Sequence, residues 1–463
     1  MGATKGVTVS EAFSTQQLSG WGRMNPDECR VFRPEKHRNA VETFLAPEGG
    51  TIIPRGLGRS YGDPSVNGGG RVLDMTRQNR MLAFDEARGV VECEAGVSLE
   101  ALIEAFLPRG YFLPVSPGTK FVTVGGAIAN DIHGKNHHVA GSFGQFVEEL
   151  TLLTPTGETL VCTPELNSDV FWATVGGVGL TGLILTAKVR LKPVPSAWIN
   201  VDYYKSRDLD DALATMADSD DRYIYSVAWV DCLASGGSLG RSVLMRGNHA
   251  TVDQLSEDQA ARPYHVKPAM TKTVPIDFPG FVLNPLSMRA FNETIWAVHK
   301  TQNGKLVDYD KYFYPLDSVH HWNRGYGKKG FAQFQATLPP ESKQGLVKLL
   351  EKLSGEKRAS FLAVLKCFGD GNPGLLSHPM RGYTLTLDIP NAKGLPEFMK
   401  DLDRILLDFG GRLYFAKDSL SDAATIEKMY PRLPEFRAIQ KRLDPQGRLS
   451  SNLARRLGLV EGA

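Results

Sequence analysis

The sequence predicts an α+β fold in two domains, on three observations. Its 463 residues exceed what one hydrophobic core usually organises. Residues 51–192 alternate short apolar runs with glycine-rich turns and carry two helical patterns. After "KPVPSA" (192–197) glycine pairs thin out and longer amphipathic or aromatic segments take over, so a second domain is expected to begin near Ala197.

In chain order, "TIIPRG", "RVLDM", "GVVECEAG", "VTVGGAIA", "EELTLLTPTGE" and "GLILTAKVRL" read as strands. "SLEALIEAFLPRG" reads as a helix with Ser98 at its N-cap, and "NSDVFWATVGG" as a helix stopped by its glycines. Beyond 197 come "DRYIYSVAWVD", "KYFYPLD" and "GFAQFQATLPP". Residues 262–291 mix prolines with apolar residues in no clear period, which suggests a loop over a site, with Phe278, Phe281, Val282 and Leu283 exposed. The chain closes with "GGRLYFAKDS" and a basic helix in "DPQGRLSSNLARRL".

Composition narrows the function. With 53 Lys and Arg against 51 Asp and Glu, and no basic tail, nucleic acid is a poor partner. Cys29, Cys93, Cys162, Cys232 and Cys367 are widely spaced and contain no CxxC pair, which argues for reduced thiols rather than a disulfide framework or a zinc site. Neither a signal peptide nor a run of about 18 apolar residues is seen, so any membrane contact is expected to be peripheral.

The loop chemistry points to a phosphate-bearing ligand. "TIIPRGLGRSYGD" (51–63) runs a strand into Gly56, Gly58 and Gly62, leaving backbone N–H groups free for an anion. It is not the dinucleotide fingerprint, because Tyr61 stands where the third glycine would be and no helix pattern opens after it. Further glycine loops follow in 114–144 and 171–184. Within "DIHGKNHHVAGSFG" (131–144), His133 and His137 have chelate spacing, but Gly134 breaks the helix that this needs and no acid has matching spacing, so no metal is expected. His138 reads as a hydrogen-bonded structural residue.

Together, "RGLGRSYGD", "PGT", "TVGGAIA", "DIHGKNHH", "GSFG", "FWATVGG", "WNRGYG" and "GGRLYFAKDS" resemble the vanillyl-alcohol oxidase type of FAD-binding family, and within it the decaprenylphosphoryl-ribose 2'-oxidases, over nearly the whole chain. The resemblance implies a two-subdomain FAD-binding domain beginning in 1–196, a cap domain with an antiparallel sheet in 197–410, and a return to the FAD-binding domain in 411–463. Covalently flavinylated relatives often carry histidine in the first loop, where this chain reads Gly58, Arg59 and Ser60, so non-covalent FAD is expected.

By resemblance, the cofactor contacts are Arg55, Gly56, Leu57, Gly58, Arg59, Ser60 and Tyr61 in the first loop, and Pro117, Gly118 and Thr119 in the second. Thr123, Val124, Gly125, Gly126, Ala129 and Asn130 follow, then Ile132, His133, Gly134 and Asn136, with Gly179, Ile184, Tyr414 and Lys417 later in the chain. Lys417, His133 and Lys135 are the catalytic candidates, the last two as cations beside the flavin or a substrate phosphate. Tyr61, Trp229, Gln333, Gln335, Lys366, Thr384, Thr386 and Lys417 are the substrate candidates. Mycobacterial members carry cysteine where Thr386 aligns, a difference that leaves the flavin untouched and bears on pocket shape.

The implied reaction is FAD-dependent oxidation of the 2'-hydroxyl of a polyprenyl-phosphoryl ribose, the first half of an epimerisation to the arabinose donor of cell-wall arabinan. It implies a separate NAD(P)H-dependent keto-reductase as partner, and a protein that is cytoplasmic or peripheral at the membrane. An alditol or aldonolactone oxidase on the same fold, and a flavin-binding module without turnover, are the rival expectations.

Overall fold

The computed structural model describes residues 13–460 apart from 48, 219–220, 269, 281, 359 and 361. Phe281, expected to be exposed, therefore lies outside the described residues. A four-stranded sheet opens the chain, in the order Ser14–Leu18, Asp27–Phe32, Arg71–Asp74, Ile52–Arg55. Its inner strands run parallel. A second, five-stranded sheet is antiparallel throughout, ordered Met81–Asp85, Val90–Glu94, Leu183–Arg190, Val147–Leu153, Thr159–Cys162.

Trp198–Ser206 enters the third sheet, of eight antiparallel strands. Its order continues from Gln302–Asp308 through Trp198–Ser206, Ser242–His249, Tyr225–Val230, Ala363–Phe368, Gly382–Pro390 and Phe331–Leu338 to Arg412–Leu413. The helices Lys343–Gly355 and Leu395–Asp408 carry buried leucines at 346, 349, 350 and 353 and at 395, 402 and 406. That i, i+3, i+4 spacing lets both pack on one face of the sheet and leaves the other face for the cavity. After Leu413 the chain returns to the first sheet, where Leu449 bridges Ile52 in parallel and Asn452 accepts a hydrogen bond from Gly68 N at 2.8 Å.

Ser98 caps the helix Leu99–Phe106 as its spacing predicts, accepting from Ala101 N. "VTVGGAIA" departs from its strand reading and forms the helix Val124–Ala129. Thr123 decides this, since its hydroxyl accepts the Gly126 N–H at 3.1 Å and satisfies a donor that the first helical turn leaves open. "KYFYPLD" opens likewise with a short helix, Tyr309–Phe313, capped by Asp308.

Among the described residues, 262–291 is tied to its neighbours rather than free. Lys272 and Thr273 pair with Val319 and His320, Phe278 N donates to Arg324 O, and Asp277 pairs with Arg23. Phe278 is exposed, whereas Val282 and Leu283 are half-buried.

Candidate active site

A cavity of about 510 Å³ runs between the glycine loops and the free face of the eight-stranded sheet. At one end lie Gly56 to Ser60, Gly118 and Thr119, whose backbone N–H groups donate to no group among the described residues. Gly56 is obligatory there, because a Cβ would stand 2.2 Å from the capping Thr123 hydroxyl. Asn130, deeper in, is anchored through Nδ2 to Gly126 O while its buried Oδ1 has no partner.

The sheet wall is one cross-strand row. Val243 faces Trp229, Trp229 faces Val364, Val364 faces Thr386, and Thr386 faces Gln335, and all five line the cavity. Met245 and Val227, a cross-strand pair beside it, add to its apolar end. The row thus passes from aliphatic and aromatic groups to a hydroxyl and an amide.

Three lysines converge on the cavity. Lys417 arrives on the turn after Arg412–Leu413, where Lys417 N donates to Tyr414 O. The seam is tight: Tyr61 N donates to Ala416 O at 2.7 Å, and a Cβ on Gly62 would stand 1.7 Å from Asp418 O. Burial lowers the Lys417 ammonium to about 7, with Asp388 opposing and Lys366 adding to the shift. Burial takes Lys366 to about 8 and, together with Lys366, takes Lys135 to about 7. Lys135 donates to Tyr312 O and lies over its ring, whereas Lys366 has no hydrogen-bond partner among the described residues.

His133 differs from expectation. Burial first, then the neighbouring Lys366, holds its imidazole well below the ordinary value, so it is neutral and not a cation. Gln335 Nε2 donates to His133 Nε2 at 2.7 Å, which leaves the proton on Nδ1. His138 bonds Tyr223 O through Nε2.

Most of the expected site residues line this cavity, namely Arg55 to Tyr61, Pro117 to Thr119, Thr123, Gly125, Gly126, Ala129, Asn130, Ile132 to Lys135, Gly179, Ile184, Trp229, Gln333, Gln335, Lys366, Thr386, Tyr414 and Lys417. Three stand outside its wall. Val124 is fully buried with its N–H given to Val97 O. Asn136 spends its amide on Pro114 O, and Thr384 sits behind Gln335, accepting from its amide at 3.4 Å. The Arg55 guanidinium is turned onto Ser19 O and Ser65, so it serves the loop rather than a ligand.

Other groups at the site escape sequence reading. Asp388 is fully buried, receives hydrogen bonds from Gln333 Nε2 and Tyr326 OH, and is raised to about 7 by burial, against the pull of Gln333 and Lys417. Its signal was an acid two residues beyond Thr386 on the same strand face. Asp317, Trp21 and Trp322 also line the cavity, Trp21 carrying the Arg59 guanidinium 4.0 Å above its ring.

Residues 31–163 match the FAD binding domain family, and residues 386–457 match the D-arabinono-1,4-lactone oxidase family. Decaprenylphosphoryl-β-D-ribose oxidase of Mycolicibacterium smegmatis is 43% identical over 453 residues, which span 96% of this chain and 98% of that protein. The chain belongs to the decaprenylphosphoryl-β-D-ribose oxidase family. L-gulonolactone oxidase of Mus musculus is similar at 26% identity over 82% of this chain and 83% of its own length. Cytokinin dehydrogenase 10 of Oryza sativa is 30% identical over 33% of this chain and 30% of its own. As a decaprenylphosphoryl-ribose oxidase family member the chain is an FAD-dependent oxidoreductase. Its residues fit that cofactor, since two sets of unspent backbone donors face a single cavity that continues past Asn130 and His133 to Lys417.

Proposed function

We propose that this protein oxidises the 2'-hydroxyl of a polyprenyl-phosphoryl-β-D-ribose to the 2'-keto sugar, the first half of an epimerisation toward an arabinose donor. The observation that carries the reading is the graded sheet wall. Val243, Trp229 and Val364 offer an apolar bed for a prenyl tail, while Thr386, Gln335, Lys366 and Lys417 form a polar, cationic end for phosphate and sugar.

In this reading the N–H groups of Gly56 to Ser60, with Gly118 and Thr119, hold the FAD pyrophosphate. FAD supplies the hydride acceptor when bound. Loss of hydride from the C2' carbon leaves a protonated carbonyl unless the hydroxyl proton also departs. Lys417, lowered to about 7, is in part a neutral amine near pH 7 and takes that proton. The unpaired Lys366 ammonium binds the substrate phosphate, and neutral His133 donates from Nδ1 toward the sugar or the cofactor.

A keto sugar released from this site needs a second enzyme to return hydride to the opposite face, and an NAD(P)H-dependent reductase is the partner class. No helix among the described residues is long and apolar enough to cross a membrane. We place the protein at the membrane periphery, where a lipid-tailed substrate resides.

The test is anaerobic reduction of the yellow protein by a panel of prenyl-phosphoryl pentoses, free alditols and aldonolactones. Rapid bleaching by the prenyl-phosphoryl ribose alone is expected. Bleaching by free lactones or alditols instead would move the assignment to the lactone oxidases matched at 386–457. A flavin bleached by none of them would leave a binding module.

A further inference from the structure

The helix Pro285–Val298 buries Met288 and Asn292 and leaves its two ends apolar and exposed. Asn292 is 1% exposed and donates to Asp231 Oδ1 at 2.6 Å, whereas Leu286 and Val298 are 78% and 65% exposed. A helix lying on a core usually turns its large apolar side chains inward and its amides out, so exposed Leu286 and Val298 are unusual. Met270 and Ile276, just upstream, are exposed as fully. Of the 15 large apolar side chains that the described residues expose, 6 fall between 270 and 298. Such concentration marks an interaction site.

The charge around this patch is mostly basic. Arg262, Lys267, Lys272, Arg289, Lys300 and Lys305 are the basic residues of 262–305, against Asp277 and Glu293 alone. Both acids are already paired, Asp277 with Arg23 and Glu293 with Arg241. Exposed Lys328 and Lys329 add to the rim, held beside Phe278 by the bond from Phe278 N to Arg324 O. A chain whose total charge is +2 therefore gathers a cationic surplus around its most apolar surface.

The same helix turns Ile295 into the cavity wall, and His299 follows it there. The surface thus adjoins the apolar end of the cavity, where Val227 and Met245 stand.

We propose that the exposed apolar side chains described between 270 and 298, Phe281 apart, are a docking face for a bilayer rich in anionic phospholipid. Met270, Ile276, Leu286 and Val298 enter the boundary between headgroups and acyl chains, and the surrounding lysines and arginines meet the lipid phosphates. The purpose, passing a lipid-tailed substrate toward Ile295 and the cavity, rests on the function proposed above; the docking itself does not.

The experiment is co-sedimentation of the full-length, FAD-loaded protein with vesicles of phosphatidylcholine alone, or with about one third phosphatidylglycerol. Binding to the anionic vesicles is expected to be stronger by ~10-fold or more and to weaken as salt rises. Ile276→Glu and Leu286→Glu should each lower it by ~10-fold, with the rate of reduction by a short-chain, water-soluble prenyl-phosphoryl ribose unchanged. Equal sedimentation of parent and variants, or no preference for anionic vesicles, overturns the proposal. So does a parent that is dimeric, ignores vesicles and becomes monomeric on Leu286→Glu, since the face would then join two copies. Intact vesicle binding with no reduction by the short-chain substrate would instead sink the proposed reaction and leave the docking face standing.

Discussion

The Lys417 ammonium lies over the Tyr61 ring, 3.8 Å from its centroid, joining the returning C-terminal segment to the first glycine loop. The contact fixes the amine at the seam between the first loop and the eight-stranded sheet, whereas the N–H groups of Gly56 to Ser60 are carried by the loop backbone itself. Lys417→Ala should therefore keep its FAD while anaerobic flavin reduction slows by ~100-fold or more, the range of a positioned acid or base. Stopped-flow absorbance at saturating substrate measures it. An unchanged rate would remove Lys417 from the chemistry, and loss of FAD would make it a cofactor clamp.

Asp388 opposes the burial that lowers Lys417, and its charge favours the protonated amine. Removing that charge lowers the Lys417 value further, so more neutral amine is present at a given pH. For Asp388→Asn the acid limb of the pH profile of flavin reduction should move to lower pH by about one unit. A simple structural defect would lower the whole profile without moving the limb. An unmoved limb would show that the two groups are not linked in catalysis.

Arg59, stacked on Trp21, occupies the loop position where covalently flavinylated relatives carry histidine. An arginine offers no such bond, and no cysteine lines the cavity among the described residues. Acid precipitation should release the yellow colour into the supernatant. Colour retained in the pellet would mean a covalent flavin held by another residue.

Asp131 ties the loop of residues 131–144 to the segment that carries Asn372 and Ser377. Its buried carboxylate accepts from Ser142 Oγ, Gly144 N and Asn372 Nδ2 at 2.8, 2.9 and 2.8 Å, and from Ser377 Oγ. Burial raises its carboxyl, and the four donors oppose the rise. Asp131→Ala strands those donors and should cost about 3 kcal/mol or more of stability, seen as a lower denaturation midpoint. A loss below about 1 kcal/mol would show that water replaces the carboxylate.

The glycine loops and the Ser98 cap were legible because their chemistry is local: a backbone that must approach a phosphate, and a hydroxyl that reaches three residues ahead. The helix at Val124–Ala129 was misread because "VTV" has strand composition, and one hydrogen bond from Gly126 N to the Thr123 hydroxyl overrides it. The sheet wall was hidden for a different reason. Its members come from five strands between 225 and 390, and only strand order makes Trp229 a neighbour of Val364, and Val364 of Thr386. Asp388 went unread although it shares a strand face with Thr386, because only the strand pairing brings it opposite Gln333. His133 was expected charged because a sequence does not reveal how completely burial strips an imidazole of water.

The bridge from Leu449 to Ile52, and the bond from Gly68 to Asn452 across 384 residues, give the molecule an order of assembly. The first glycine loop leaves the ribosome long before the segment that seats its strand and the lysine that faces it. Contacts so distant in sequence are slow to close. The site that receives the cofactor is thus closed only once residues 449–452 have joined the first sheet.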